Sequence, residues 1–399
     1  MGSSVYVAGA GAISGIGNNV AESMEAFETE KAGMGTIRWL NTIHKGKLPV
    51  AEVKLSNLEL GELSGLSPEL SRTALLSAVA ALEALADASI PDFNNLRTGF
   101  VSATTVGGMD KTENFFPQFL ARSGKGRLRE VLHHECGSVT ELVAARLGIS
   151  HYVSTISTAC SSSANSIFHG ARMIRHDKLD VVIAGGTDAL TSFTLNGFNS
   201  LMILDQEFCQ PFDENRRGLN LGEGAGYLVL VSERVAQGLP NKLYGKLSGY
   251  CNANDAFHQT ASSPEGTGSF LAMKGALEQS GLRPGDISYI NLHGTGTQNN
   301  DIAEGTAIRI LFDPEFPPMS STKSFTGHTL GASGGLEAVF SVLSIKNGII
   351  FPNLRLKTPM KELPFVPVTR FMKNKKVNHV LSNSFGFGGN CSSLIFSKV

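Results

Sequence analysis

The chain has 399 residues, enough for two or three units at roughly 100 to 200 residues per domain, and its 42% hydrophobic and 17% charged content excludes a disordered or low-complexity polypeptide. Lys plus Arg (34) nearly cancels Asp plus Glu (35), so no global field draws the protein to nucleic acid or to an anionic membrane. No run of 18 apolar residues occurs and the first residues lack the basic-then-apolar pattern of a signal peptide, which predicts a cytoplasmic protein outside the membrane.

Val5-Tyr-Val-Ala-Gly9 predicts a buried strand. The glycines that follow, Gly9 to Gly17, are not spaced G-x-G-x-x-G, and no tyrosine has a lysine four residues on, so a dinucleotide reductase is a poor reading. A helix from Ser71 precedes the strand Thr98-Gly-Phe-Val-Ser-Ala103. The polar stretch 107–140 reads as an insertion that serves as a cover or dimer element. Within it the basic cluster Arg122 to Arg129, with Lys125 and Arg127, lacks interleaved aromatics and reads as a solvated loop, with an acidic carrier protein as its remaining partner. The strand Val153–Ile156 leads into Thr158-Ala-Cys160-Ser-Ser-Ser163 and a helix whose apolar positions Ala164, Ile167, Phe168, Ala171 and Ile174 follow three-four spacing. Gly222-Glu-Gly-Ala-Gly226 is a turn feeding another strand.

The same order then returns. Lys242-Leu-Tyr-Gly opens a strand, a helix from Ser269 to Ser280 precedes the strand Ile287 to His293, a helix carries Leu336, Val339, Phe340 and Leu343, and the Gly386 turn feeds a last strand. Cys160 and His328 stand almost as far apart as Gly222 and Gly386, whereas Tyr6 and Tyr244 are further apart. Two similar halves, 1–240 and 241–399, follow, with about 70 extra residues in the first. Alternating strands and helices predict an α/β fold with buried sheets and sites at strand ends and helix N-termini.

Five widely spaced cysteines, without a C-x-x-C pair, predict neither a disulfide framework nor a zinc cluster. Cys160, at the first turn of its helix, is either a nucleophile whose pKa the helix end lowers or a buried inert thiol. His293 ends the strand Tyr289-Ile-Asn-Leu and His328 follows Lys323-Ser-Phe-Thr-Gly, and each is either structural or catalytic. Together with Cys160 they suit carbon–carbon bond chemistry: a thiolate takes an acyl group while two neutral imidazoles donate N–H bonds to a second thioester. Lys323 beside a histidine would keep it neutral. Glu304, on the helix after the His293 loop, either anchors Lys323 or faces solvent. Gly331-Ala-Ser333-Gly-Gly335 fits G-x-S-x-G, but no apolar strand enters it, so helix packing is the reading.

Thr158-Ala-Cys160-Ser, His293-Gly-Thr-Gly-Thr-x-x-Asn-Asp-x-x-Glu304, Lys323-Ser-x-x-Gly-His328 and Asn383-Ser-Phe-Gly-Phe-Gly-Gly389 occur in that order, from Val5 to the last strand. This resembles the β-ketoacyl-acyl carrier protein synthases of types I and II, the elongating condensing enzymes of fatty-acid and polyketide synthesis. The resemblance implies a thiolase-like, five-layered αβαβα fold from two duplicated halves, and a homodimer. It implies Cys160 as acyl-accepting nucleophile, His293 and His328 on the malonyl thioester, Lys323 and Glu304 in support, and the N–H groups of Cys160 and Phe387 as oxyanion hole, with Phe387 gating. Val106 and Phe198 would line the acyl pocket or be ordinary core. No metal or bound cofactor is implied, because the phosphopantetheine arm belongs to the acyl carrier protein.

Departures from the family pattern are Asn390-Cys391 after Gly388-Gly389, and Arg217 and Asn220 in the stretch before Gly222. They keep open a specialised synthase of a polyketide or aryl-polyene pathway. Other readings are a non-catalytic chain-length partner paired with an active ketosynthase-like subunit, which Cys160 argues against, and a thiolase using Cys391 as second cysteine.

Overall fold

The computed structural model describes residues 4–91, 93–121, 124, 126–239 and 243–399. Arg122, Lys125, Lys242 and the expected boundary at 240/241 lie outside the described residues.

Ten strands form one sheet system in the order β3-β2-β4-β5-β1-β6-β10-β9-β7-β8. They are β1 (Val5–Ser14), β2 (Thr98–Ala103), β3 (Tyr152–Ile156), β4 (Val181–Asp188), β5 (Gly224–Ser232), β6 (Gly245–Asn254), β7 (Tyr289–Asn291), β8 (Met319–Ser320), β9 (His379–Gly386) and β10 (Asn390–Ser397). Outward from the centre, β1, β5, β4, β2 and β3 on one side match β6, β10, β9, β7 and β8 on the other. Both series begin with two antiparallel pairings and continue with two parallel ones. Among the described residues the two five-strand sets pair at Tyr6↔Lys246 and Val7↔Gly245.

Composition explains the layers. The alanine-rich helix Arg72–Ala88 covers one outer face, and Gly9 and Gly11 of β1 exist for that contact: a Cβ there would lie 2.3 Å from Ala84 O and 2.1 Å from Ala80 O. The helix Ser333–Asn347 is buried from Ser333 to Ile345, the mark of a helix inside a core rather than on its surface. It lies with the helix Ser162–Arg175 between the two strand sets, while Thr267–Ser280 and Gln298–Phe312 cover the other outer face, giving the five αβαβα layers. Gly335 packs here against β5, where a Cβ would lie 2.4 Å from Gly226 O, so the glycines around Ser333 serve helix packing.

The extra length of the first half is split. Residues 107–140 contribute the helix Met109–Ala121 and the start of Cys136–Leu147, but the longer addition is 15–71, between β1 and its covering helix, where the second half has only 255–266. Among the described residues no helix is long and apolar enough to cross a membrane.

Candidate active site

Cys160 sits between β3 and the Ser162 helix, on a turn whose preceding residue Ala159 has φ +52°. A non-glycine residue in that region costs on the order of 1–3 kcal/mol, and the turn is braced for it. Ser162 Oγ accepts from Thr158 N at 2.7 Å and donates to Ala159 O at 2.5 Å. The sulfur lies 3.1 Å from His328 Nε2 and receives the backbone N–H of Phe387. The expectation of a lowered pKa is overturned. The helix begins only at Ser162, and burial pushes the thiol up to about 11 against the pull of the Lys323 cation. A raised pKa leaves a thiol at neutral pH and thiolate only as pH rises. Iodoacetamide modification of Cys160, followed by peptide mass, is therefore expected to keep accelerating between about pH 8 and pH 10. A rate that levels off near neutrality would contradict this.

Both imidazoles are held in one tautomer by their neighbours. His293 Nδ1 lies 3.2 Å from Lys323 Nζ, and an ammonium can only donate, so Nδ1 accepts and the proton sits on Nε2. His328 Nδ1 accepts the backbone N–H of Leu330 at 3.1 Å and lies 3.0 Å from Ser333 Oγ, which again leaves Nε2 as the N–H donor. The rings stand 5.5 Å apart, nearly perpendicular at 87°, and ligand atoms of Cys160, His293 and His328 all lie within 4.8 Å of one another. Burial, then the Lys323 cation, holds both histidines well below the usual imidazole range, so both are neutral at physiological pH.

Glu304 does not anchor Lys323. Its carboxylate accepts the N–H groups of His293 (2.9 Å) and Gly294 (2.8 Å) and the side-chain amide of Asn383 (3.0 Å), shaping the His293 loop from beneath. The reason is topological: Gln298–Phe312 directs Glu304 at the end of β7, whereas Lys323 meets Glu337 on the central helix. Burial pushes Glu337 up to about 7 against the opposing pull of the Lys323 ammonium. Sequence reasoning missed Glu337, although a lone acid in the apolar run Leu336-Glu-Ala-Val-Phe340 is a signal, since a buried charge demands a partner. The sulfur and the two imidazoles lie close enough together to ligate a metal ion, but each ring carries its proton on Nε2, so the set as arranged offers N–H donors rather than imidazole lone pairs there.

Cys160, His293 and His328 open onto one cavity of about 250 Å³, lined also by Phe198, Phe387, Thr295, Thr297 and Arg217. Phe198 stacks on Phe387 at 5.6 Å. Val106 is not in this lining. It is buried in an apolar wall with Leu195 and Leu219 against which Phe198 packs, because the N–H of Val106 is tied back to Asp188. A larger cavity of about 830 Å³, beyond that wall and lined by Trp39, Met109 and Leu190, contains none of the three reactive groups.

The description "Beta-ketoacyl synthase, N-terminal domain" matches residues 3–236 and "Beta-ketoacyl synthase, C-terminal domain" matches 244–357. The chain belongs to the β-ketoacyl synthase family. Among curated relatives, 3-oxoacyl-[acyl-carrier-protein] synthase 2 of Staphylococcus aureus (strain N315) is 34% identical over 99% of this chain and 98% of its own length. A putative mitochondrial 3-oxoacyl-[acyl-carrier-protein] synthase of Schizosaccharomyces pombe is 32% identical over 99% of both. Among solved structures, the ishigamide ketosynthase/chain length factor matches with TM-score 0.94 at 28% identity over 100% of both chains. The ketosynthase ApeO in complex with its chain length factor ApeC from Xenorhabdus doucetiae gives 0.84 at 29%, covering 100% of this chain and 98% of that one.

Within this β-ketoacyl synthase the departures have definite roles. Asn390 Oδ1 accepts from Ser161 Oγ (2.7 Å), Asn252 Nδ2 (2.8 Å) and Asn165 Nδ2 (3.1 Å), fastening the Gly-rich loop to the residue after Cys160. Asn220 O receives the backbone N–H of His328 at 2.7 Å. Arg217, at the cavity, is held by Asp205 (3.0 Å) and Glu207 (2.9 Å). Cys391 is buried beside Ala272 and Phe385, outside the lining of the cavity that holds Cys160, so it is not placed to act as a thiolase's second cysteine. Arg129 of the basic cluster pairs with Glu69 at 3.1 Å.

Proposed function

We infer that the protein is a β-ketoacyl-acyl carrier protein synthase, an acyltransferase that joins an acyl group to a malonyl-derived two-carbon unit in fatty-acid elongation. The observation that carries this is the convergence of one sulfur and two Nε2–H donors on a single cavity. First, Cys160 attacks the acyl thioester of the carrier. The new C–S bond replaces the old one, the carrier's thiol leaves with the proton that Cys160 gives up, and the backbone N–H groups of Cys160 and Phe387 hold the transient oxyanion. Next, malonyl carrier places its thioester oxygen between the two imidazoles. The C–C bond to the carboxylate breaks, CO₂ leaves, and the electron pair moves onto that oxygen, where two N–H bonds stabilise the enolate. The enolate carbon attacks the acyl carbonyl, the C–S bond to Cys160 breaks, and the thiolate that leaves takes a proton from solvent.

No bound cofactor or metal enters these steps. The phosphopantetheine arm arrives with the acyl carrier protein, and the hydroxyls of Thr295 and Thr297 line its way in. A homodimer would form through β3, an edge strand with Val153 exposed, and the same edge suits a ketosynthase-like partner. The cytoplasm fits five free thiols. A specialised polyketide synthase is the second reading, favoured by the 28–29% identical ketosynthase/chain length factor pairs.

Purified protein given a panel of acyl carriers and malonyl carrier is expected to yield β-ketoacyl carriers two carbons longer, read by mass spectrometry. Failure with every acyl carrier, or cleavage of acetoacetyl-CoA in its place, would overturn the reading. The acyl tail would lie along Phe198 toward the Val106 wall. Val106→Phe, which thickens that wall, is expected to lower kcat/KM for the longest accepted chain by about tenfold, the worth of roughly two buried methylenes, while sparing the shortest. Equal loss at every length would place the tail elsewhere.

A further inference from the structure

We propose that Asp188 is a positioning residue: its carboxylate grips the Leu330–Gly331 turn and thereby keeps His328 an Nε2–H donor. This rests on the reading above that the donor polarises the malonyl thioester.

Asp188 ends β4 with no exposed surface, and no ion pair to it occurs among the described residues. Its charge is met by five donors instead. Thr104 Oγ1 (2.6 Å), Thr105 N (2.9 Å) and Val106 N (3.0 Å) reach Oδ1, while Thr105 Oγ1 (2.5 Å) and Gly331 N (2.7 Å) reach Oδ2. The last bond crosses from the first half of the chain to the turn three residues beyond His328. In that turn Leu330 has φ +53°, a conformation that costs free energy in a leucine. This conformation aims the N–H of Leu330 at His328 Nδ1. Ser333 Oγ, the other neighbour of Nδ1, can donate or accept and so cannot fix the tautomer alone. Gly331, next to Leu330, is held on both sides, its N–H by Asp188 and its carbonyl by the Ser163 hydroxyl, and the Asp188 bond is the one that fixes the N–H side of the strained turn. Gly331 itself leaves no room for a side chain, since a Cβ would lie 2.8 Å from Asp188 Oδ2.

Two substitutions separate this role from a general structural one. Asp188→Asn keeps the shape but has one acceptor oxygen. With that oxygen toward Thr105 N and Val106 N, its NH₂ faces the Gly331 N–H and that bond is lost. Gly331→Ala leaves the carboxylate charged but displaces it, and it serves if Asp188→Asn does not fold. The groups facing His328 are Cys160, Lys323, His293 and Ser333, and neither change touches them.

The readout is ¹⁵N-histidine NMR on the free enzyme, together with separate rates of Cys160 acylation and malonyl-carrier decarboxylation. The wild type should show His328 with Nδ1 unprotonated and Nε2 protonated. Each folded variant should show mixed tautomers of a still neutral ring, and should lose decarboxylation by about 10²-fold with acylation retained. A folded variant that keeps the wild-type His328 signals overturns the proposal, whatever its activity. The NMR needs no substrate, so a protein that fails to condense any acyl carrier would defeat the functional reading while the tautomer result still decides the role of Asp188.

Discussion

Cys160→Ala is expected to lower β-ketoacyl carrier formation by about 10⁴-fold or more while CO₂ release from malonyl carrier continues. The two activities separate because they use different atoms. Condensation needs a covalent acyl group on sulfur, and among the described residues no second thiol lines that cavity: Cys391 lies outside its lining, and the neighbouring Ser161 and Ser162 hydroxyls are committed to Asn390 and to the Ala159 turn. Decarboxylation needs only the two Nε2–H donors, whose tautomers are set by Lys323 and by Leu330 N, neither of which involves sulfur. Labelled malonyl carrier gives both readings in one tube, as trapped CO₂ and as product mass. Loss of both together would mean that the sulfur takes part in breaking the malonyl bond.

His328→Ala should show the converse. Removing one of two donors from a water-poor site costs about 10²- to 10³-fold in decarboxylation, in line with the loss of one oxyanion-hole donor. Acylation of Cys160 should persist, because its oxyanion is met by backbone N–H groups of Cys160 and Phe387 rather than by imidazole. The pH dependence has a definite sign. Both histidines are held well below their usual pKa, so they remain neutral donors, and wild-type decarboxylation should stay level as pH falls from 8 to about 6. A sharp fall starting near pH 7 would mean that an imidazole protonates there.

Much of the site was legible in the sequence because its parts are carried by short segments with rigid geometry. Thr158-Ala-Cys160 could be placed at a strand-to-helix turn, His328 at the matching point of the second series and His293 at the end of a strand, without knowing a distance. What could not be read was whatever depends on three-dimensional neighbours. Glu304 and Glu337 are both acids on helices, and only the layering shows that the first holds the His293 backbone and the second meets Lys323. The helix end suggested an acidic thiol, but the cost of burying a thiolate is set by surroundings drawn from distant parts of the chain, and it dominates. Phe198 and Val106 looked equivalent, yet the tie from Val106 N to Asp188 sets Val106 in the wall behind. The duplication was visible in element order, whereas Val181–Asp188, a central strand interrupted by Gly185-Gly186, was missed, and with it Asp188.

The central claim is that sulfur and both imidazoles act on substrates in one cavity in a fixed order. A single turnover tests it most directly: enzyme is acylated on Cys160, freed of excess donor and mixed with malonyl carrier, and CO₂, product and the Cys160 peptide are followed by mass spectrometry. Equal amounts of CO₂ and β-ketoacyl carrier are expected, appearing as the acyl mass leaves Cys160. CO₂ released while the acyl group stays on Cys160, or acyl mass found on another residue, would contradict it.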